Sequence, residues 1–221
     1  FVNETSKAVT FNYQNMFSNN RLFGIDVIDN SNRIVYGIEN NFFFKNKTID
    51  LNIAQTYEFN KDSNFLNRIK QKDHFSDIIF EASSSMDLLN LKFESRIDNQ
   101  NYSNKESNFN LNLPHLFNLN LDYYLTSKDS YNDLTSDKEA LKISNSSSIN
   151  ENVELNFNTN IDLRNNYTPY EQSLGVSFYD ECSKLNVNYT NTKFNDNFNT
   201  KPTETIRLEF YMDYLGLVGY E

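Results

Sequence analysis

Apolar and polar residues alternate along most of the chain. In the segment Phe109–Leu113 every second residue is apolar, and the segments Val153–Asn158 and Ile206–Met212 follow the same rule. Because successive side chains of a strand point to opposite faces, a period of two predicts strands with one apolar and one polar face. No window shows a sustained helical period.

The alternation predicts twelve strands. Their predicted ranges are 6–13, 33–44, 48–59, 75–84, 88–97, 107–113, 117–126, 138–147, 152–163, 171–180, 183–194 and 203–213. Many of these ranges have the length of about 10 residues that a tilted strand needs to cross a bilayer. Strands of ordinary globular proteins are about half as long.

The links between these strands alternate between short and long. The short links are 45–47, 85–87, 114–116, 148–151 and 181–182, and the long polar links are 14–32, 60–74, 98–106, 127–137, 164–170 and 195–202. Outer-membrane barrels have short periplasmic turns and long extracellular loops. We therefore predict an all-β, antiparallel, up-and-down transmembrane β-barrel, with residues 1–221 as one portion of it and both ends on the periplasmic side.

The composition changes this picture in three ways. Hydrophobic residues make up only 38% of the chain, yet 19 Phe and 14 Tyr are present, and disordered chains are poor in such rings. A net charge of −10 argues against a nucleic-acid partner. No stretch approaches the roughly 18 consecutive apolar residues of a membrane helix. The aromatic rings must therefore be buried by strands, in a core or in lipid.

The polar face is rich in amides, such as Asn110, Asn112 and Asn156, rather than in balanced Lys and Glu. This composition suits a wet lumen that contacts water or sugars, with the apolar face turned to outer-membrane lipid. A soluble sheet with one solvated face is the alternative. The polar residues Asp122 and Glu154 are interpreted as isolated lumen carboxylates.

The sequence offers no catalytic, metal or cofactor site. His74 and His115 lie far apart in the predicted topology, whereas a metal needs clustered ligands. No His or Lys accompanies a Ser or Cys in the way that a nucleophile requires. We therefore predict that the protein is not an enzyme.

Two segments resemble one known family. Residues 15–26 read NMFSNNRLFGID, and residues 33–37 read RIVYG. They are similar to the N-L-F-x-x-N-R-[FY]-x-G-x-D-R segment and the downstream R-x-x-Y-G of the lipopolysaccharide (LPS) assembly protein family LptD, although Val27 replaces the final Arg. The matching loop residues are Phe17, Asn20, Arg21, Gly24 and Asp26.

A second segment points the same way. Residues 177–182 read SFYDEC and residues 208–216 read LEFYMDYLG, which resembles the family's Y-x-x-C turn and closing strand. Gly24, Asp26 and Arg21 are interpreted as a structural loop packed into or over the lumen, with a ligand site as the alternative.

The resemblance implies a function in LPS assembly. Family members form a barrel of about 26 strands, of which this chain would be the C-terminal part. A lipoprotein plugs the lumen, and periplasmic bridge proteins deliver LPS, which leaves through a seam between the first and last strands. Leu208, Phe210 and Met212 would lie on one side of that seam. A general porin or an adhesin-type barrel is the alternative function.

The resemblance also gives Cys182, the single cysteine of the chain, a role. Family members carry cysteines in this turn that are bonded to the N-terminal region. We expect a disulfide from Cys182 to an upstream cysteine outside this chain, with an inert thiol as the alternative.

Overall fold

The computed structural model describes residues 11–21, 29–60, 65, 69–71, 73–115, 118–131, 134–164, 167–193, 202–212 and 216–220. Within these residues it contains one short helix, α1 (Tyr13–Met16), and twelve strands. The strands are β1 (Arg33–Phe44), β2 (Lys47–Glu58), β3 (Ile78–Met86), β4 (Asn90–Ile97), β5 (Asn104–Leu113), β6 (Leu119–Thr126), β7 (Lys138–Asn150), β8 (Val153–Asp162), β9 (Thr168–Asp180), β10 (Ser183–Thr192), β11 (Thr203–Met212) and β12 (Gly216–Tyr220).

The strands lie in the sheet in the same order as in the chain. The all-β, antiparallel, up-and-down fold predicted from the alternation is thus confirmed, and it is the order found in up-and-down barrels. The alternation of link lengths is also confirmed, because each short link is shorter than the long links beside it. The smallest difference in length is the one between the long link 98–103 and the short link 114–118.

The first predicted strand, 6–13, is wrong in its described part. Tyr13 begins helix α1, and the side chain of Asn12 accepts a hydrogen bond of 2.8 Å from the backbone N–H of Asn15. An Asn in this N-cap position satisfies a donor that the first helical turn leaves open. Local capping thus overrides the alternation, while residues 1–10 lie outside the described part of the chain.

The last strand was not predicted. β12 pairs with the second half of β11, from Leu208 opposite Tyr220 to Met212 opposite Gly216. Its sequence, GLVGY, has no polar residue at alternate positions and therefore gives no period-two signal. The other eleven predicted strands are present, with ends shifted by up to a few residues.

The chain divides into two compact units, residues 1–109 with 124–138 and residues 110–123 with 139–221. The prediction that residues 1–221 form one barrel portion stays a prediction. Among the described residues, no helix has the length and apolar character needed to cross a membrane.

Unit 1 has a small apolar core, formed where α1 and the 59–77 link pack on β2 and β3. Its buried members are Phe11, Met16, Ala54, Phe65, Ile69 and Ile79. The rings of Phe11 and Phe65 meet edge to face with centroids 5.0 Å apart. This core fixes the N-terminal segment and a long link to one face of the sheet.

Candidate functional site: a two-faced sheet and its buried ion pairs

Strand β2 buries its polar face and exposes its apolar face. Asn52, Thr56 and Glu58 are buried, whereas Leu51 and Ile53 are 36% and 46% exposed. A soluble sheet does the opposite, since burial of apolar surface drives its folding. The burial of β2 therefore fits a strand whose apolar side faces hydrocarbon.

Unit 2 separates apolar from polar positions across four strands. Strand register places apolar side chains opposite one another in three continuous rows. These rows are Val153–Phe178–Leu185–Phe210, Leu155–Val176–Val187–Leu208 and Phe157–Leu174–Tyr189–Ile206. Leu174 and Ile206, in the third row, are 54% and 65% exposed. The result is a broad apolar surface open to the surroundings.

The intervening rows of unit 2 are polar. They are Glu154–Ser177–Asn186–Glu209, Asn156–Gly175–Asn188–Arg207 and Asn158–Ser173–Thr190–Thr205. Ser177 in the first of them is buried. The soluble alternative, with the apolar residues packed inside, does not describe β8–β11.

A shallow pocket of about 370 Å³ lies within unit 2. Its lining residues are Asn118, Lys142, Ser144, Asn145, Ser146, Asn156, Phe157, Asn158, Ser173, Gly175 and Asn188. Gly175 makes room for an amide, because a Cβ there would lie 2.2 Å from Oδ1 of Asn188. Amides and hydroxyls both donate and accept hydrogen bonds, so the pocket suits water or the hydroxyl groups of a sugar.

A second polar network in unit 2 surrounds Asp122. Asn120 Nδ2 donates to Asp122 Oδ2 over 2.9 Å, and Asn110 Nδ2 donates both to Asp122 Oδ1 and to Asn120 Oδ1. Asp122 is buried. Both of its carboxylate oxygens accept hydrogen bonds from amide groups, and these bonds fix the orientation of the carboxylate.

Unit 1 contains a buried ion-pair cluster around Arg21. Its Nε lies 2.7 Å from Asp29 Oδ2, its Nη2 lies 2.7 Å from Glu58 Oε1, and all three side chains are fully buried. The guanidinium carbon lies 3.8 Å from the ring centroid of Phe65. Arg21 therefore ties the N-terminal segment to the end of β2 and to the 59–77 link.

A second cluster centres on Arg96. Its Nε donates to Asp77 Oδ2 over 2.7 Å, and its Nη2 donates to the carbonyl oxygens of Ile69 and Ser130, each over 3.0 Å. Lys105 Nζ lies 2.9 Å from Asp77 Oδ1 and 2.8 Å from Asp98 Oδ2. Arg96 thus joins β4 to two of the long links.

Three groups in the long links have shifted pKa values. Burial alone would raise the pKa of Asp29, but the hydrogen bond and charge of Arg21 outweigh it and lower that pKa below 3.8. The pKa of Asp98 is also lowered, since the Lys105 hydrogen bond and backbone N–H donors outweigh burial. Burial, with the nearby Glu106 carboxylate, raises the pKa of Tyr131 far above 10.0.

The predicted loop residues are brought together only in part. Asn20 Oδ1 accepts from the backbone N–H of Asp29 over 3.1 Å, which places it beside the Arg21–Asp29 pair. Phe17 lies apart, half exposed, with its ring centroid 5.3 Å from that of Tyr13. Gly24 and Asp26 lie outside the described residues.

Sequence reasoning missed most of the ion-pair residues. Glu58, Asp77, Arg96 and Lys105 each lie at or next to the end of a strand that leads into a long link. A charged residue at each such end was the available signal. Their pairing could not be foreseen, because the partners are far apart along the chain.

The residues assigned to the seam lie on the exposed apolar rows or beside them. Leu208, Phe210 and Met212 are 46%, 40% and 37% exposed. β11, however, pairs with β10 along its whole length and with β12 along its second half. β11 is therefore not the terminal strand.

Cys182 is exposed in the two-residue turn between β9 and β10. The chain has no second cysteine, so its expected disulfide partner stays a prediction. In the described part of the chain, no cluster of His, Cys, Asp and Glu has the geometry to hold a metal ion.

A family model matches most of the chain. The family model described as "LptD: LPS transport system D" matches residues 1–161, which include unit 1 and the strands up to most of β8. No curated protein matches the chain. The second sequence motif, at residues 177–182 and 208–216, lies beyond the matched residues.

Proposed function

The chain belongs to the LPS transport system D family, and we propose that it forms part of the outer-membrane β-barrel that inserts lipopolysaccharide into the outer leaflet. The observation that carries this proposal is the reversed burial of the strands. Apolar rows such as Leu155–Val176–Val187–Leu208 are turned outward, while Asn52, Thr56 and Ser177 are buried. Lipid hydrocarbon is the environment in which such a sheet is stable.

The strand pairing supports a membrane location. β8, β9 and β10 are hydrogen-bonded to a neighbour on each side. In hydrocarbon each unpaired backbone N–H or C=O costs several kcal/mol, so continuous pairing is required. The long links would face the outside and the short turns the periplasm.

The two faces suit the two parts of a glycolipid. The amides and hydroxyls around Gly175 and Asn188 can exchange hydrogen bonds with sugar hydroxyls. The apolar rows can meet acyl chains by dispersion and exclusion of water. Transport of this kind depends on position and polarity and needs no covalent step, in keeping with a transport family.

The partners follow from the same proposal. They are lipopolysaccharide, a plug lipoprotein in the lumen, the periplasmic LPS-bridge proteins and outer-membrane lipid. The seam for LPS release would involve both β11 and β12. The reason is that β12 pairs with the half of β11 that carries Leu208 and Phe210.

Depletion of the protein tests the function. In a bacterium that carries it, we expect depletion to reduce LPS at the surface of intact cells, measured by antibody binding, and to leave LPS in the inner membrane. Restoring the gene should restore surface LPS. An unchanged surface level after the protein has disappeared would contradict the proposal, and loss of solute uptake alone would favour the porin alternative.

A further inference from the structure

Four aromatic side chains cluster at the long-link end of β2. The ring centroid of Tyr57 lies 5.4 Å from that of Phe59, 5.4 Å from that of His74 and 5.1 Å from that of Phe75. Phe59 and Phe75 nevertheless remain 53% and 42% exposed. The rings thus contact one another and still present a wide surface outward. We refer to these four residues as the aromatic cluster.

Backbone hydrogen bonds hold the aromatic cluster in place. Tyr57 forms an isolated antiparallel bridge with Phe75, and the N–H of Glu58 donates to the His74 carbonyl over 2.7 Å. The N–H of Phe59 donates to the Asn32 carbonyl over 2.8 Å. The rings are therefore exposed on a fixed part of the protein and not on a freely moving link.

The aromatic cluster lies at one end of the apolar face of β1 and β2. Tyr57 shares that face with Ile49, Leu51 and Ile53, since all occupy alternate positions of β2. The opposite end of the face carries Phe44, whose ring centroid lies 5.0 Å from Lys47 Nζ. A lysine beside an exposed ring can extend its amine to water while its stem stays in apolar surroundings.

The distance between the two ends matches a bilayer. The stretch of β2 from Lys47 to Tyr57 spans roughly 33 Å at about 3.3 Å per residue. A strand tilt of about 40° reduces this to roughly 25 Å along the membrane normal, the height of the apolar band of outer-membrane barrels. Aromatic residues flank that band on both sides.

We infer that the aromatic cluster contacts lipid at the membrane–water boundary on the long-link side, and that Phe44 with Lys47 contacts the opposite boundary. The occupant of the face between them is bilayer hydrocarbon. This inference rests on the proposed membrane function and adds the residues that set the depth of the protein in the bilayer.

The absence of tryptophan from the chain allows a direct test. Single substitutions Phe75→Trp, Phe44→Trp, Ile53→Trp and Tyr102→Trp are made in the full chain, which is folded into phosphatidylcholine vesicles. The lipids are brominated either near the headgroup or near the end of the acyl chain. Bromine quenches an indole that lies at its own depth, and the emission maximum reports the polarity around the indole.

We expect the ratio of shallow to deep quenching to exceed one for Phe75→Trp and Phe44→Trp and to fall below one for Ile53→Trp. Ile53→Trp should also have the emission at the shortest wavelength. Tyr102 lies in the 98–103 link and is 73% exposed, so Tyr102→Trp should be quenched by aqueous iodide and by neither lipid.

Two contrary outcomes are distinguishable. If Ile53→Trp is quenched from the chain end while Phe75→Trp is quenched equally deeply or not at all, the inference fails and the membrane function stands. If neither lipid quenches Ile53→Trp in the folded protein, the membrane function fails as well.

Discussion

The Nε atom of Arg96 lies 2.7 Å from Oδ2 of Asp77, and water reaches neither side chain appreciably. Removing one partner of such a pair leaves an uncompensated buried charge, which typically costs about 3–5 kcal/mol. We therefore expect Arg96→Met to destabilise unit 1 by about 3 kcal/mol or more. The measurement is urea unfolding in lipid vesicles, combined with proteolysis of the 59–77 link.

Arg164 provides the matched control. Its Nε lies 2.8 Å from Glu139 Oε2, but its side chain is 49% exposed. Exposed ion pairs contribute about 0–1 kcal/mol, so Arg164→Met should change stability little. Equal losses for the two variants would show that burial does not govern these pairs.

Gly37 and Gly175 should differ in their tolerance of alanine. A Cβ at Gly37 would lie 2.5 Å from the backbone oxygen of Ile53, which cannot move without disturbing the β1–β2 pair. At Gly175 the nearest atom is the side-chain oxygen of Asn188, which can rotate away. We expect Gly37→Ala to cost roughly 1–3 kcal/mol, as overpacking does, and Gly175→Ala to cost less, as measured by thermal unfolding. A larger loss at Gly175 would contradict this order.

A charge on the apolar rows should be far more costly than a charge on the polar rows. Val187 lies between Val176 and Leu208 on an apolar row, and Val187→Arg should cost roughly 2–4 kcal/mol near the bilayer midplane. The yield of folded protein in vesicles, read from heat-dependent gel mobility, measures the effect.

The neighbouring residue is the control for this charge. The Asn186 amide donates to Glu209 over 3.3 Å on a polar row, so Asn186→Arg introduces the same charge beside a carboxylate. Its folding yield should stay close to that of the unmodified protein. If Asn186→Arg were the more damaging variant, the two faces would be assigned the wrong way round.

Acid should weaken the long-link end of unit 1. Because the pKa of Asp98 is lower in the folded chain than its ordinary 3.8, the ionised form is stabilised by folding. This stabilisation is complete above about pH 4, and it is lost as the pH falls through the folded value. Stability measured from neutral pH downward should therefore decline below about pH 4. Asp98→Asn should reduce that decline while lowering stability at neutral pH. An identical acid response in both proteins would exclude Asp98 as a cause.

The disulfide prediction can be tested on the full-length protein. Cys182 is exposed in its turn, so a bond to a cysteine outside this chain should change mobility in non-reducing electrophoresis. Reduction should remove the change, and Cys182→Ser should abolish it. Unchanged mobility on reduction would argue for an inert thiol.

Local pattern predicted eleven of the twelve described strands of the sheet. The neighbours Leu155 and Asn156, within the segment Val153–Asn158, were assigned to opposite faces by alternation alone, and the structure places them in an apolar and a polar row. Helix α1 escaped prediction because one cap at Asn12 decides so short a helix. β12 escaped because GLVGY has no alternating polar residues.

The pairings within the ion-pair clusters could not be predicted from the sequence. Arg96 and Asp77 belong to different segments, and only the antiparallel return of β4 along β3 brings them together. Arg21 was singled out as a motif residue, but its partners Asp29 and Glu58 were not. Pairing between distant charges depends on tertiary packing, which periodicity does not contain.

The two-residue turn between β9 and β10 also sets the alignment of this hairpin. Ser183 pairs with Asp180 directly across this turn, so the pairing of the two strands begins at the first residue of β10. A shift of the register by one position would move every apolar side chain of β10 to the opposite face of the sheet. The alignment of β9 with β10 is therefore set within this hairpin itself, by a turn that leaves room for only one pairing of its first residues.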